Sequence, residues 1–157
     1  MERKLKIYID TSVIGGCYDE EFAEWSNMLF EEFKSGKKIA VISDLTYDEL
    51  LKAPDFVRQK LDEIPDEFKQ MLIRNEETLF LANKYVELKV ISEKYYDDAT
   101  HIALSTINHV DVLVSWNFKH IVNLNRILKY NTINFSLGYK ILEIRNPKEV
   151  LINEEEI

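Results

Sequence analysis

The sequence has few of the residues that cross-link a chain or interrupt regular structure. It contains one cysteine, Cys17, four glycines and three prolines among 157 residues. A single cysteine excludes an internal disulfide and fits a reducing cytoplasm. The scarcity of glycine and proline argues against long irregular loops. With 46% hydrophobic residues, we expect a single cytoplasmic domain with a substantial core.

Long hydrophobic runs are also missing. The apolar stretches are short and broken by charges, so we expect no membrane-spanning segment. The first residues, Met1–Leu5, lead directly into a strand-like run and lack the apolar segment of a signal peptide.

Positive charge is in deficit: 20 Lys and Arg face 28 Asp and Glu, which gives a net charge of −8. This balance argues against a protein that coats long stretches of nucleic acid, because such binding depends on many basic contacts. It does not exclude a metal-dependent nuclease, whose site needs acids and whose bound ions supply local positive charge. Part of the negative charge lies in Glu154–Glu156. We therefore predict a domain over 1–150 and an acidic tail over 151–157.

Strand-like and helix-like segments alternate along the chain. The predicted strands are Leu5–Ile9, Ile39–Ile42, Val110–Ser115 and Lys140–Ile144, with Lys89–Ile91 as a possible edge strand. Helical spacing is found in Phe22–Phe33, after a Ser43 or Asp44 cap, from Asp66 to about Leu88, after Ser92, and from the end of Val110–Ser115 to about Leu137. The alternation predicts an α/β fold, with a central parallel sheet covered by helices on both faces.

Polar residues follow the predicted strands at the edge where such sheets bind ligands. Asp10 ends the first strand, Asn117 follows Val110–Ser115, and Glu49 lies in the helix after the second strand. Asp98 lies in the helix before Val110–Ser115, so the strand ends do not fix its direction. Asp10 could instead be only a helix N-cap.

Carboxylates gathered at one edge repel each other unless a cation lies between them. Mg²⁺ or Mn²⁺ accepts oxygen ligands of this kind, polarises a phosphodiester and lowers the pKa of a bound water. No cysteine, histidine or lysine stands out as an alternative nucleophile. The pattern therefore favours metal-assisted hydrolysis.

At these residues the chain resembles the PIN domains, in particular the VapC-type toxin nucleases. The matching segments are Ile9–Ser12, Thr46–Leu50, Asp98–Ala103 and Leu113–Phe118, with Asn146–Pro147 near the end. Each segment alone is a weak signal, but four in order on a matching frame of strands and helices are fairly specific.

The resemblance implies a three-layer α/β/α sandwich, metal-dependent endoribonuclease activity, frequent homodimers and often a small antitoxin partner. It assigns the metal to Asp10, Glu49 and Asp98, in preference to the neighbouring Asp48 and Asp97.

The resemblance also implies that Ser115 braces Asp10. One departure stands at position 117, where the family usually has a fourth acid and this chain has Asn117. An amide oxygen can still coordinate a cation or hold a water, so Asn117 is included in the predicted metal set.

Several other residues have both a functional and a structural interpretation. Lys119, His120 and Arg126 are candidate contacts to RNA phosphates, or else part of an ordinary exposed helix. His101 shares a helix face with Asp98 and is interpreted chiefly as a structural histidine. Trp116 is interpreted as packing, although a base could stack on it.

Two other functions stay open. Asp10–Thr11 after a strand faintly resembles the haloacid-dehalogenase phosphatases, but their second aspartate is Ser12 here. Alternatively, Asn117 marks a catalytically weakened PIN-fold binding module that no longer holds the metal competently.

Overall fold

We describe residues 3–151 in a computed structural model. The strands are β1 (Lys6–Ile9), β2 (Ile39–Ser43), β3 (Lys69–Leu72), β4 (Val112–Val114) and β5 (Ile144–Arg145). The helices are α1 (Thr11–Gly16), α2 (Ala23–Lys34), α3 (Asp44–Leu50), α4 (Asp55–Lys60), α5 (Glu76–Glu87), α6 (Tyr96–Ile107) and α7 (Leu124–Ser136). Short 3-10 helices occupy Leu61–Glu63, Asp66–Phe68, Glu93–Tyr95 and Glu149–Leu151. Of the predicted acidic tail, all but Leu151 lies outside the described residues.

The five strands form one sheet in the order β3-β2-β1-β4-β5, and every neighbouring pair is parallel. The chain winds from β1 outward to β3 and then returns to the other side of β1 to form β4 and β5. The winding direction therefore reverses between β1 and β4. In open parallel sheets a ligand crevice lies at this reversal, beyond the carboxyl ends of the two strands.

Alternating side chains of the sheet fill two separate cores. Tyr8 belongs to the core on the side of α5, α6 and α7. Ile7 and Ile9 belong to the opposite core, which α1, α2, α3 and α4 cover. All three side chains are fully buried, as expected for a central strand that is covered on both faces. The three-layer α/β/α sandwich predicted from the sequence is confirmed.

The outer parts of the sheet differ from the sequence prediction. One edge strand of the sheet is Lys69–Leu72, in a segment for which the sequence predicts a helix, whereas the predicted edge strand Lys89–Ile91 forms a turn and no strand. The helical segment predicted from Asp66 begins only after Asn75, whose side chain accepts a hydrogen bond from the Thr78 amide.

Two further boundaries also differ. The last strand is limited to Ile144–Arg145, and the helix predicted to follow Val110–Ser115 begins only at Leu124. The intervening turn is held by Asn117, while Asn123 caps α7 through a bond from the Arg126 amide.

Within residues 3–151, no helix is both long and apolar enough to cross a membrane.

Candidate active site

Asp10 and Ser115 follow the two strands at which the winding reverses. Ile9 and Val114, the residues before them, are register partners in β1 and β4. Ser115 Oγ donates a 2.6 Å hydrogen bond to Asp10 Oδ2. Ser12 Oγ donates to Asp10 Oδ1 at 2.5 Å.

Asp10 is more than the N-cap of α1. Its backbone occupies the cap position, but its side chain makes no capping hydrogen bond. The carboxylate is only 3% exposed. Burial raises the pKa of Asp10 above its ordinary value, against the lowering effects of His101 and the two serines. Such a buried charge is costly without a positive partner.

Glu49 enters the site from α3. Ser43 caps this helix and accepts a hydrogen bond from the Thr46 amide. Thr11 Oγ1 donates to Glu49 Oε1 at 2.7 Å, and His101 Nε2 lies 2.5 Å from the same oxygen.

A buried line of polar groups supports Glu49 from behind. His101, only 1% exposed, places Nδ1 at 2.6 Å from Tyr8 Oη, which in turn lies 2.8 Å from Ser43 Oγ. The sequence did not predict this buried line of polar groups. The only hint of it in the sequence is the position of His101 on the same helix face as Asp98.

The pKa values of His101 and Glu49 shift in opposite directions. Burial alone would lower the pKa of His101, but Tyr8, Glu49 and Asp10 together raise it well above its ordinary value. Burial alone would raise the pKa of Glu49, but the hydrogen bond and charge of His101, with Thr11, lower it. The charged form of His101 is therefore favoured by the carboxylates around it.

Asp98 faces the same crevice from the first turn of α6. Burial raises the pKa of Asp98 to about 6, with further contributions from the charges of Asp10 and Glu49. The three predicted acids are thus close enough to interact electrostatically.

Asn117 contacts Asp98 but does not present its oxygen to the site. Its amide nitrogen donates to Asp98 Oδ2 at 3.2 Å. Its oxygen accepts from the backbone amides of Lys119 at 3.2 Å and His120 at 3.0 Å. To act as a ligand through oxygen, Asn117 would have to release these two hydrogen bonds.

The neighbouring acids lie elsewhere. Asp48 and Asp97 are exposed, and Asp48 forms an ion pair with Arg74. Their placement agrees with the preference for Glu49 and Asp98.

The three candidate phosphate contacts differ in exposure. Lys119 is exposed and Arg126 is partly buried, with Nη1 donating to Val90 O. His120 is only 6% exposed and its ring lies 3.9 Å from that of Tyr95, so it is held away from solvent. Trp116 packs in the core, stacked on Phe22 at 4.2 Å.

The donor set suits a hard divalent cation, which prefers carboxylate oxygens. Within the described residues, Glu49 Oε2 and Asp98 Oδ1 accept no protein hydrogen bond. Yet no three Asp, Glu, His or Cys side chains in 3–151 already lie in the arrangement of a metal site. Each of the three carboxylates accepts at least one hydrogen bond from a protein donor.

Comparisons with known proteins are informative at the level of structure. No protein-family model matches the chain, and no curated protein is significantly similar to it in sequence. The structure is similar to VapC20 of Mycobacterium tuberculosis, a toxin that cleaves the sarcin–ricin loop. The TM-score is 0.55 at 13% identity, over 73% of this chain and 92% of that one. It is also similar to VapBC2 of Rickettsia felis, solved with a DNA fragment from their promoter. The TM-score is 0.57 at 14% identity, over 90% of this chain and 98% of that one.

This chain has the PIN-domain fold of the VapC proteins. The resemblance inferred from four short motifs is confirmed at the level of the fold. In this PIN fold, Asp10, Glu49, Asp98, Ser115 and Asn117 all reach the crevice between β1 and β4.

Proposed function

We propose that the chain is a metal-dependent endoribonuclease that hydrolyses RNA phosphodiesters. The observation that carries the proposal is the convergence of Asp10, Glu49 and Asp98 on the crevice where the winding of a VapC-like fold reverses. The two serines of the crevice, Ser12 and Ser115, donate to Asp10 and not to a histidine; Cys17 is buried, and burial raises the pKa of its thiol to about 12. The three carboxylates instead suit hydrolysis with a cation-bound water.

Mg²⁺ or Mn²⁺ would be held by Asp10, Glu49 and Asp98, and would supply positive charge for the phosphodiester and lower the pKa of a bound water. Ser115 keeps Asp10 turned toward the crevice, while Asn117 orients Asp98 through its amide hydrogens. Asn117 would be a fourth ligand if its side-chain oxygen released the backbone amides of Lys119 and His120.

Cleavage of a structured RNA with single-stranded loops tests this function. Activity should require Mg²⁺ or Mn²⁺ and disappear in EDTA. Asp10→Asn and Asp98→Asn should each lower the cleavage rate at least about 100-fold, since removing even an outer partner of a metal ligand costs 10–100-fold in affinity.

Asp97→Asn is the matched control, because it removes one acid from the same helix turn but from an exposed side chain. It should cut as well as the wild type. Asp10→Asn should stay folded, since it keeps the shape and removes a costly buried charge. An Asp10→Asn protein as active as the wild type would refute the site.

The PIN-fold binding module is the second candidate, and two observations favour it. The oxygen of Asn117 is engaged with two backbone amides, and residues 3–151 contain no preformed group of three metal-binding side chains. Calorimetric titration with millimolar Mn²⁺ separates the two candidates. Absence of detectable binding would favour the module over the nuclease.

A small antitoxin partner and a homodimer are proposed on the same resemblance. Co-purification with the product of a neighbouring gene tests the first, and light scattering of the isolated chain tests the second.

A further inference from the structure

A cleft lined by positively charged side chains lies beside the acidic candidate active site. Its volume is about 440 Å³, and it lies between the turn after α5, the turn after β4 and the start of α7. Four cationic side chains line it, and no acidic residue does: Lys89, Lys119, Arg126 and Lys129. In a chain with a net charge of −8, this is a local concentration of positive charge.

The charges of this cleft are not explained by pairing within the fold. Among the ion pairs formed by residues 3–151, none includes any of the four cations. Burial lowers the pKa of His120, and the charges of Arg126 and Lys119 lower it further. Like charges held together in this way disfavour one another unless an anion lies between them.

The backbone also favours an anion here. Asn123 and Asn125 line the cleft at the start of α7, a helix of 13 residues. The first-turn amides of such a helix carry partial positive charge. Arg126 uses one guanidinium N–H for Val90 O, which fixes its head group against the cleft wall and leaves its other donors for a ligand.

Lys89 occupies its position at a conformational cost. Its φ is 62°, in the left-handed region that favours glycine over residues with a side chain. Lys89→Gly is therefore a suitable test variant, because glycine removes the positive charge and adopts this backbone conformation without strain.

The cleft is linked to the crevice of the carboxylates through Asn117, whose side-chain oxygen accepts the backbone amide of Lys119. Lys119 lies two residues after Asn117, whose amide contacts Asp98. Ser92, at the other wall, directly precedes the short helix that leads into α6 and Asp98. A strand whose scissile phosphate lies at the acids would thus place its neighbouring phosphates over the cations.

We infer that the cleft of Lys89, Lys119, Arg126 and Lys129 binds backbone phosphates of the single-stranded RNA substrate next to the scissile bond. The inference rests on the proposed nuclease function and extends it, since it names the surface that an acidic chain uses to hold a polyanion. Phosphate contacts position a strand without reading its bases.

Binding of a labelled single-stranded RNA to the whole chain in EDTA tests the inference without cleavage. The Lys89→Gly and Lys129→Ala double variant should bind about tenfold more weakly, at up to about fivefold per exposed charge contact. Its slope of log affinity against log salt should fall by about 1.4, or roughly 0.7 for each lost phosphate contact. The loss should be the same for two RNAs of different sequence.

Lys37→Ala is the matched control, because it removes an exposed charge just before β2, at the opposite end of the sheet. Unchanged affinity and salt slope in the double variant would overturn the inference, even if the wild type cleaves RNA. If the wild type never cleaves but the double variant still loses RNA affinity, the nuclease proposal fails while the phosphate cleft stands. Weaker binding of poly-glutamate with unchanged RNA binding would assign the cleft to an acidic protein and also overturn it.

Discussion

Replacing Asn117 by aspartate tests the part of the site in which this chain departs from the family pattern. In the present structure the Asn117 amide nitrogen donates to Asp98 Oδ2 at 3.2 Å. An aspartate could still accept the two backbone amides that now bind the Asn117 oxygen. Its second oxygen, however, would face Asp98 as a like charge.

The size of the penalty follows from this geometry. Two unit charges 3.2 Å apart repel by about 5 kcal/mol at an effective dielectric constant near 20. Protonation of Asp98 removes this repulsion at a smaller cost in free energy, because the pKa of Asp98 is already about 6. Protonating Asp98 at pH 7 costs about 1.4 kcal/mol, which is one pKa unit. We therefore expect Asn117→Asp to lower the unfolding free energy by roughly 1–2 kcal/mol without metal, or the melting temperature by about 3–6 °C.

When a cation is bound, we expect Asn117→Asp to raise the unfolding free energy instead of lowering it. The new carboxylate adds a charge-assisted contact, worth on the order of 1.5–3 kcal/mol, or about ten- to a hundredfold in metal affinity. The melting temperature should therefore recover, or exceed that of the wild type, in millimolar Mn²⁺.

Paired thermal melts in EDTA and in Mn²⁺ measure both effects. Asn123→Asp is the control, since it makes the same change at another capping asparagine that does not contact Asp98. If Asn117→Asp shifts stability equally with and without metal, residue 117 does not act on the site.

Two further outcomes are expected of the fold. In EDTA, stability should fall as pH rises above about 6.5. The raised pKa of His101 makes its contribution complete below 6.5 and lost as pH rises, and the raised pKa of Asp98 acts in the same direction at lower pH; urea unfolding at pH 6.5 and at pH 9 measures this, and a higher unfolding free energy at pH 9 would contradict it. Gly16→Ala should cost about 1–3 kcal/mol in thermal melts, because its Cβ would lie 2.8 Å from Trp116 Nε1. Gly15→Ala, with nothing within 4 Å of the added carbon, is its control, and equal melting temperatures would refute the steric argument.

The interior of the fold could be predicted from the sequence, but its edges could not. β1, β2 and β4 are buried on both faces, so their residues form apolar runs that are visible without a structure. The edge strand Lys69–Leu72 has only one buried residue, Leu72. This strand is held by its pairing with β2, which is distant in sequence, so the local spacing of apolar residues does not predict it.

The site divides in a similar way. Asp10 and Ser115 could be placed because parallel strands bring their carboxyl ends to one edge. The sequence places Tyr8 in a strand, but it does not reveal a partner 93 positions away in His101. The role of Asn117 was also out of reach, since the sequence gives its amide but not the direction in which each end points.

Charge balance connects Asn117 with His101. The crevice holds three acidic side chains and one histidine, whose pKa is raised well above its ordinary value. A fourth acid at position 117 would add another negative charge to this group. His101 also lowers the cost of holding three acids together before any cation arrives, because its charge lowers the pKa of Asp10, Asp98 and Glu49 alike. An asparagine at position 117 and a histidine at position 101 thus act in the same direction, because both reduce the repulsion among the acids of the crevice.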